Sequence, residues 1–242
     1  KAIQFPHRAV LDQIAACVEA YGMTDEWVYV SWLPFYHDMG LIGHIRSLLY
    51  GELFVSMSPR DWLKRPAMLL QAVHRYRGTQ TNMPNFGFDY CASRVRDDEL
   101  DGVDLGSWRL ITNGAEPVMI ESMRRFGRRF APFGLRPDVF AVAYGMAENV
   151  CGISLTRPGE EITVDRVSEE GLHAQHRAVP VGPGAAGARE VVGCGYPFRG
   201  VEIAVQDEAG SRLADREVGE IAIRSNTLFS GYYMASEEGE QA

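Results

Sequence analysis

The sequence has few cysteines, and none of them lies close to another. Four occur in 242 residues, with no C-x-x-C motif and no paired spacing of metal ligands. This excludes a disulfide framework and a zinc ribbon, and we expect reduced, buried thiols in a cytoplasmic protein. The four are Cys17, Cys91, Cys151 and Cys194.

Long apolar runs and an excess of positive charge are also missing. No apolar run reaches the length of a membrane span, and nothing resembles a signal peptide. The 24 Lys and Arg against 32 Asp and Glu give a net charge of -8, which argues against nucleic acid or an anionic membrane as a partner. Because the chain starts at Lys1 rather than Met, we expect it to be a fragment of a longer protein.

Short apolar segments alternate with helical patterns as far as Val150. The first segment is nearly continuous in apolar residues, as in a strand covered on both faces. Pro117 is placed to start one of the helices. The alternation predicts an α/β fold, a parallel sheet with flanking helices. The predicted strands are residues 27–33, 53–57, 79–83, 108–112 and 139–143.

The pattern changes after Val150. Helical periodicity disappears, residues 180–187 are rich in Gly and Pro, and apolar residues alternate with polar ones at 201–205 and 221–223. We therefore expect a smaller, mostly β subdomain, a partial barrel with too few strands to close. The predicted division is a lead-in helix at 1–24, an α/β subdomain at 25–152, and an insertion-like segment with the partial β subdomain at 153–242.

Polar turns follow four of the predicted strands and should meet at one edge of the sheet. Gly114 and Ala115 offer a flat surface against which a planar ring can lie, and Tyr144 offers an aromatic face that can stack on such a ring. Glu148, just past its strand, is placed to hold a hard cation such as Mg²⁺. Together these turns predict a site for a nucleotide, an anionic group and Mg²⁺.

His37 and Asp38 lie on the first of these turns. His37 can donate to a phosphate or a carboxylate, and the alternative is a capping or core histidine. We expect no dyad between the two, because adjacent residues of a helix or strand face different ways, and we expect Asp38 to cap the next helix. Glu116, just before Pro117, is expected to be stabilised by a helix N-terminus.

Five motifs occur in order along the chain. Together they resemble the adenylate-forming superfamily of acyl-CoA synthetases, adenylation domains and luciferases, and most closely its fatty acyl-AMP ligase branch. The first two are fairly specific for that branch, and the resemblance runs from Lys1 to the C-terminus. The motifs are SWLPFYHDMGLIG (31–43), TNMPNFGFDYC (81–91), NGAEPV (113–118), YGMAE (144–148), and VGEI with SGYY (218–221 and 230–233).

The resemblance implies an enzyme that activates a fatty acid with ATP and Mg²⁺. The carboxylate attacks the α-phosphate, pyrophosphate leaves, and the acyl-adenylate is held for transfer to an acyl carrier protein. His37, facing the phosphate and carboxylate, and Glu148, binding Mg²⁺, are the implied catalytic residues. The residues implied to contact ATP or AMP are Asn113, Gly114, Ala115, Glu116, Tyr144, Gly145, Met146 and Ala147. Those implied to line the acyl channel, with core packing as the alternative, are Met83, Pro84, Asn85 and Phe86.

The chain also departs from the family pattern. By the resemblance, we expect Lys1 to be the last residue of a phosphate-binding loop and the C-terminal domain with its catalytic lysine to lie outside this chain, and Asn149-Val150 replaces a small residue and Thr. We therefore expect the isolated chain to be inactive. The alternatives are an acyl-CoA ligase of the same superfamily, which the segment around residues 164–175 would distinguish, and a non-catalytic binding module. A metal hydrolase built on His37 and Asp38 would lack a second histidine cluster.

Overall fold

A seven-stranded mixed sheet forms the centre of the structure. The computed structural model describes residues 2–24 and 26–234. Lys1, expected to end a phosphate-binding loop, and residues 235–242 of the predicted β subdomain lie outside the described residues. The strands are β1 (Ile3–Gln4), β2 (Val28–Ser31), β3 (Leu53–Ser56), β4 (Gln80–Met83), β5 (Leu110–Asn113), β6 (Phe140–Gly145), β7 (Gly152–Leu155), β8 (Val164–Ser168), β9 (Ala188–Val192), β10 (Tyr196–Pro197), β11 (Val201–Gln206), β12 (Glu220–Ser225) and β13 (Gly231–Tyr232). The helices are α1 (His7–Tyr21), α2 (Asp38–Tyr50), α3 (Pro59–Lys64), α4 (Ala67–Tyr76), α5 (Asn85–Arg94), α6 (Ile120–Phe130) and α7 (Glu169–Ala174).

Five neighbouring strands of this sheet are parallel, in the order β3-β2-β4-β5-β6. They coincide with the five predicted strands, so the prediction of a parallel α/β core is confirmed. Two further strands extend the sheet beyond β6 and make it mixed, since β7 is antiparallel to β6 and β10 is antiparallel to β7. Strand β7 spans the boundary predicted at residue 152, and that division stays a prediction.

The two faces of the sheet differ in chemistry. One face packs against α3, α4, α5 and α6 and holds the main apolar core, in which Trp62, Phe88 and Phe126 are fully buried. The other face lies under α1 and α2, and it carries buried polar side chains from β2, β4 and β5, among them Gln80 and Asn82. Helices therefore flank both faces, as predicted, but only one face has the apolar composition typical of a parallel sheet.

Glycines end the first two long helices where the sequence predicts it. Gly22 follows α1 with a φ of 62°, and Gly51 follows α2 with a φ of 66°. In this left-handed conformation the amide of each glycine bonds back to a carbonyl of its helix. None of the helices in the described ranges is both long and apolar enough to cross a membrane.

The prediction that Pro117 starts a helix is wrong, because α6 begins only at Ile120. The side chain of Asn85 is the physical reason. Its Nδ2 donates to the Pro117 carbonyl at 2.8 Å, and its Oδ1 accepts from the Met119 amide at 2.8 Å. These bonds hold the segment outside the helix, and Glu116 is therefore not at a helix N-terminus.

Beyond β7 the chain forms small antiparallel sheets, which confirms its mostly β character. Strand β11 pairs with β12, β8 pairs with β9, and β1 pairs with β13. The short helix α7 is not predicted by the sequence pattern. Its N-cap is Ser168, whose hydroxyl accepts from the Gly171 amide at 3.1 Å.

All four cysteines are free thiols. Cys17 and Cys91 are buried, as expected, and Cys151 is partly buried. Cys194 is exposed, so the prediction of buried thiols is wrong for this residue. It lies in the loop between β9 and β10, outside the apolar core.

Candidate nucleotide and acyl site

A cavity of about 290 Å³ opens at the carboxyl edge of the parallel strands. The turns that follow β2, β5 and β6 line it, in the position where open α/β sheets bind ligands. It continues into the space between the polar face of the sheet and the helices α1 and α2. The predicted site residues that line it are His37, Gly114, Ala115, Tyr144, Gly145, Met146 and Ala147.

Backbone crowding requires glycine at two positions of this cavity. A Cβ on Gly114 would lie 2.9 Å from the carbonyl oxygen of Ala143, and a Cβ on Gly145 would overlap the carbonyl oxygen of Cys151. Ala115 has a positive φ of 71°, which is uncommon for a residue with a side chain. The two turns therefore present main chain to the cavity, and a planar ring can approach it closely.

His37 and Asp38 contact each other directly. His37 Nδ1 lies 2.7 Å from Asp38 Oδ1, so the expectation that the two side chains face different ways is wrong. The expectation holds for regular helices and strands, but His37 is the extended residue before α2 and Asp38 is its first helical residue. The carboxylate also accepts from the Met39 amide at 2.6 Å. The Met39 amide also donates to His37 Nδ1 at 3.2 Å, so His37 itself is the N-cap of α2, as in the capping alternative, and the expectation that Asp38 is the cap is wrong. Nε2 of this half-exposed histidine is the nitrogen that can meet a ligand.

Glu148 lies on a short 3-10 turn, Ala147–Asn149, beside the cavity rather than in its lining. Two contacts from the far end of the chain hold it. Tyr232 Oη donates to Glu148 Oε1 at 2.6 Å, and the Phe229 amide donates to the Glu148 carbonyl at 2.8 Å. No group of three or more His, Cys, Asp or Glu that could hold a metal ion occurs in the described part of the chain. Any cation here would therefore need ligand oxygens in addition to this carboxylate.

The residues predicted for the acyl channel lie elsewhere. Met83 is fully buried in the apolar core, on the face of the sheet opposite the cavity. Asn85 clamps the segment before α6, and Asn113, predicted at the nucleotide site, donates to its Oδ1 at 2.9 Å. Phe86 is half exposed and packs edge-on against Trp32, with ring centroids 5.4 Å apart. None of these lines the cavity, and neither do Pro84 and the exposed Glu116.

The model of the family described as AMP-binding enzyme matches residues 1–233. The chain belongs to this family. A match over almost the whole chain accounts for the ordered motifs and for the turns that the structure brings to one sheet edge.

This chain has two ligases among its relatives. It is 34% identical to the medium-chain-fatty-acid–[acyl-carrier-protein] ligase JamA of Moorena producens, over 98% of this chain and 41% of JamA. It is 38% identical to the long-chain-fatty-acid–AMP ligase FadD32 of Mycobacterium marinum, over 88% of this chain and 34% of FadD32. The chain thus spans about two fifths or less of these relatives' length.

The solved structures include a close match in fold. The fatty acyl-adenylate ligase of L. pneumophila, in complex with acyl adenylate and pyrophosphate, is 33% identical. The superposition has a TM-score of 0.94 and covers 99% of this chain and 42% of that one.

Several residues that line the cavity lie outside the five motifs of the sequence. They come from the lead-in helix α1, the far half of α2, the strand β5 and the positions just before β7 and just after β10, which are distant in sequence. An arginine on the apolar helix α2 is a local signal that could have indicated one of them. These residues are Cys17, Tyr21, Arg46, Thr112, Cys151 and Phe198.

Asn149, which departs from the family pattern, has a structural role behind the Glu148 turn. It is fully buried, and its Nδ2 donates to the Gly152 carbonyl at 2.9 Å. Its Oδ1 accepts from Thr227 Oγ1 at 2.9 Å, and Gln13 Oε1 of α1 lies 3.4 Å from Nδ2. Asn149 therefore fastens this turn to α1 and to the segment after β12.

Burial keeps the interior of the cavity largely uncharged. It raises the pKa of the Tyr21 and Tyr29 phenols and of the Cys17 and Cys151 thiols, because low-dielectric surroundings disfavour their anions. All four groups are therefore neutral at neutral pH. Arg46 is the charged residue at the inner end of the cavity.

Proposed function

We propose that the protein activates a fatty acid with ATP and transfers the acyl group to an acyl carrier protein. The carboxylate oxygen attacks the α-phosphorus of ATP, a new P–O bond forms, and pyrophosphate leaves with the bonding electron pair. In the transfer, the thiolate of the carrier protein attacks the acyl carbon, a thioester forms, and AMP leaves with the electron pair of the broken C–O bond. The observation that carries this proposal is the cavity itself, which joins two backbone-lined turns to an enclosed interior beside His37. The names of JamA and FadD32 support the same reaction class.

In this proposal the adenylate occupies the mouth of the cavity. Adenine lies between Tyr144 and the main chain of Gly114 and Ala115, where no side chain beyond a methyl group blocks the ring. His37 donates from Nε2 to the phosphate or carboxylate oxygens, and the Met39 amide, which donates to Nδ1 at 3.2 Å, fixes the orientation of its ring. Catalysis is then mainly positioning and stabilisation of charge on the transferring group.

Glu148 is the residue that we propose to hold Mg²⁺. A single carboxylate fits this cation, which commonly combines one or two protein carboxylates with substrate phosphates and water. The Tyr232 hydroxyl engages Oε1 and fixes the carboxylate, which leaves Oε2 as the second oxygen. When bound, Mg²⁺ neutralises negative charge on the phosphates.

We propose that the acyl chain extends from His37 into the inner part of the cavity, between α1, α2 and the sheet. This replaces residues 83–86 as the acyl channel, since they do not line the space that adjoins the two turns. The lining there includes Ile42 and the backbone of Gly43, on which a Cβ would lie 2.6 Å from the Tyr29 ring.

The experiment is acid-dependent ATP–pyrophosphate exchange with the full-length protein. We expect exchange with fatty acids, and Glu148→Gln should lower kcat/KM by about a hundredfold or more, the usual effect of removing one charge-stabilising group. Glu208→Gln, at an exposed residue remote from the cavity, is the matched control and should leave the rate unchanged. Equal rates for the two variants would contradict the role of Glu148.

The acceptor is tested separately. After activation, we expect the acyl group to appear on a carrier-protein thiol and not on coenzyme A, and deletion of residues 164–175 should permit transfer to coenzyme A. These residues form β8 and α7, a unit beside the cavity-bearing sheet. Efficient transfer to coenzyme A by the unaltered protein would favour the acyl-CoA ligase alternative. A non-catalytic module would show neither exchange nor binding of an acyl-adenylate analogue in calorimetry.

A further inference from the structure

The face of the sheet beneath the inner cavity carries a stripe of buried polar side chains across three strands. Tyr29 of β2 pairs with Gln80 of β4, and Asn82 of β4 pairs with Thr112 of β5. Each of these four side chains is at most 4% exposed. Central strands of parallel sheets are usually rich in Val, Ile and Leu, so a polar stripe at this position requires an explanation. Asn82 and Thr112 line the cavity.

Arg46 of α2 faces this stripe and has part of its hydrogen-bonding capacity unused. Nε and Nη2 donate to the two carboxylate oxygens of Glu52 at 3.1 and 2.8 Å, and Nη2 also donates to Gln80 Oε1 at 2.7 Å. Among the described residues Nη1 has no hydrogen-bond partner, although Arg46 lines the cavity. Glu52 balances the positive charge of Arg46 in an ion pair of 2.8 Å, and both side chains are at most 3% exposed. Nη1 of Arg46 can therefore bind a neutral oxygen more readily than a second anion.

Thr112 is the second residue that lines the cavity with an unpaired hydrogen-bonding group. Its side chain is 2% exposed, and its Oγ1 has no hydrogen-bond partner among the residues that the structure describes. Buried hydroxyl groups are almost always hydrogen-bonded, and an unpaired one is costly. Because Thr112 lines the cavity, a ligand that occupies it can supply this partner in place of water.

We propose that the fatty acid activated by this protein carries a neutral oxygen, a hydroxyl group, on its chain. This rests on the proposed function and specifies the substrate class of the same site. Thr112 directly precedes the turn that contains Gly114, so it would bind an oxygen near the carboxyl end of the chain. Arg46 is eight residues beyond Asp38 on α2, about 12 Å deeper along the helix axis, and would bind an oxygen farther along the chain. An unsubstituted chain would leave both groups unpaired.

The test uses the full-length protein in ATP–pyrophosphate exchange with C8, C10, C12 and C16 acids. Each chain length is supplied as the unsubstituted acid, the 3-hydroxy acid, the ω-hydroxy acid and the ω-carboxy acid. We expect one hydroxylated series to exceed the unsubstituted acids by about tenfold or more in kcat/KM, because the plain chain leaves a buried polar group unpaired. The ω-carboxy acids should gain no such advantage.

Variants then identify which residue binds the hydroxyl group of the acid. If the 3-hydroxy acids are preferred, Thr112→Val should reduce their advantage to about twofold or less and Thr112→Ser should restore it, since serine keeps the hydroxyl. If the ω-hydroxy acids are preferred, the double variant Arg46→Met/Glu52→Leu should abolish their advantage. Thr156→Val, at a buried threonine outside the cavity, is the control and should leave the ratio unchanged. A purely structural role of Thr112 or Arg46 would lower activity with both acids and leave the ratio as it was.

Three outcomes overturn the inference. If unsubstituted acids equal or exceed the hydroxy acids at every chain length, the inference is wrong and the proposed function stands. If a preference for hydroxy acids exists but survives the matching variant, Thr112 and Arg46 are not its source. If no acid supports exchange, the proposed function itself fails, and the inference fails with it.

Discussion

The buried ion pair between Arg46 and Glu52 allows a sharp test of the electrostatics of this site. The two side chains are 2% and 3% exposed, and two hydrogen bonds of 3.1 and 2.8 Å join them. Ser47 Oγ donates to the same carboxylate at 3.0 Å, and the guanidinium lies 5.0 Å from the centre of the Tyr29 ring. Removing one member of such a pair leaves an uncompensated charge in a low-dielectric region.

We expect Glu52→Gln to destabilise the full-length protein by about 3–5 kcal/mol, the usual cost of leaving one partner of a buried ion pair unpaired. The double variant Arg46→Met/Glu52→Leu removes both charges and should recover most of that loss. The control is Glu26→Gln. Glu26 pairs with Arg109 at a similar distance of 2.9 Å, but the two side chains are 77% and 44% exposed, so its loss should cost less than about 1 kcal/mol.

The assay is urea unfolding followed by tryptophan fluorescence, since all four tryptophans are buried. The difference in free energy of unfolding between each variant and the unaltered protein is the measured quantity. A Glu52→Gln loss no larger than that of Glu26→Gln would refute the reasoning. It would mean that water or a mobile group reaches the Arg46 guanidinium and compensates its charge.

Three further predictions concern the backbone and the thiols. Gly145→Ala should destabilise the protein by about 1–3 kcal/mol and raise the KM for ATP, because the new Cβ overlaps the Cys151 carbonyl; unchanged urea midpoints would contradict this. Burial raises the pKa of the Cys91 thiol from 9.0 to about 12, so the unfolded chain loses this proton at a lower pH than the folded protein. The free energy of unfolding should therefore fall between pH 9 and 12, by at most about 1.4 kcal/mol per pH unit. Cys91→Ala should show a shallower fall when the free energy of unfolding is measured at about pH 8, 9 and 10. A thiol reagent followed by peptide mass spectrometry should modify the exposed Cys194 well before Cys91 and the buried Cys17, and equal rates would show that the core opens readily.

The strands and most helices follow from local patterns in the sequence. The segment 27–33 contains the interior strand β2 (Val28–Ser31), because a continuous apolar segment is stable only when both faces are covered. Gly22 and Gly51 end their helices because glycine adopts a positive φ at little cost. The start of α6 differs from the prediction because a side chain distant in sequence determines it. Pro117 does not begin α6, because Asn85, 32 residues earlier, binds its carbonyl.

Some features of the turns at the site follow from the sequence, and others only from the tertiary structure. The sequence predicts that His37, Gly114, Tyr144 and their neighbours meet at one sheet edge, because parallel strands place their carboxyl ends together. It does not predict the His37–Asp38 contact, since the pairing depends on the backbone direction at the start of α2.

The amino-acid sequence by itself determines the order of strands and helices, the glycines of the two turns and the membership of the family, because these depend on periodicity and on short contiguous motifs. The tertiary structure alone decides what the inner cavity offers to a ligand. Arg46, Asn82 and Thr112 belong to three separate elements, and only the sheet register and the position of α2 bring them to one cavity. Their hydrogen-bonding state is a property of that burial, because the same side chains on a surface would simply bind water.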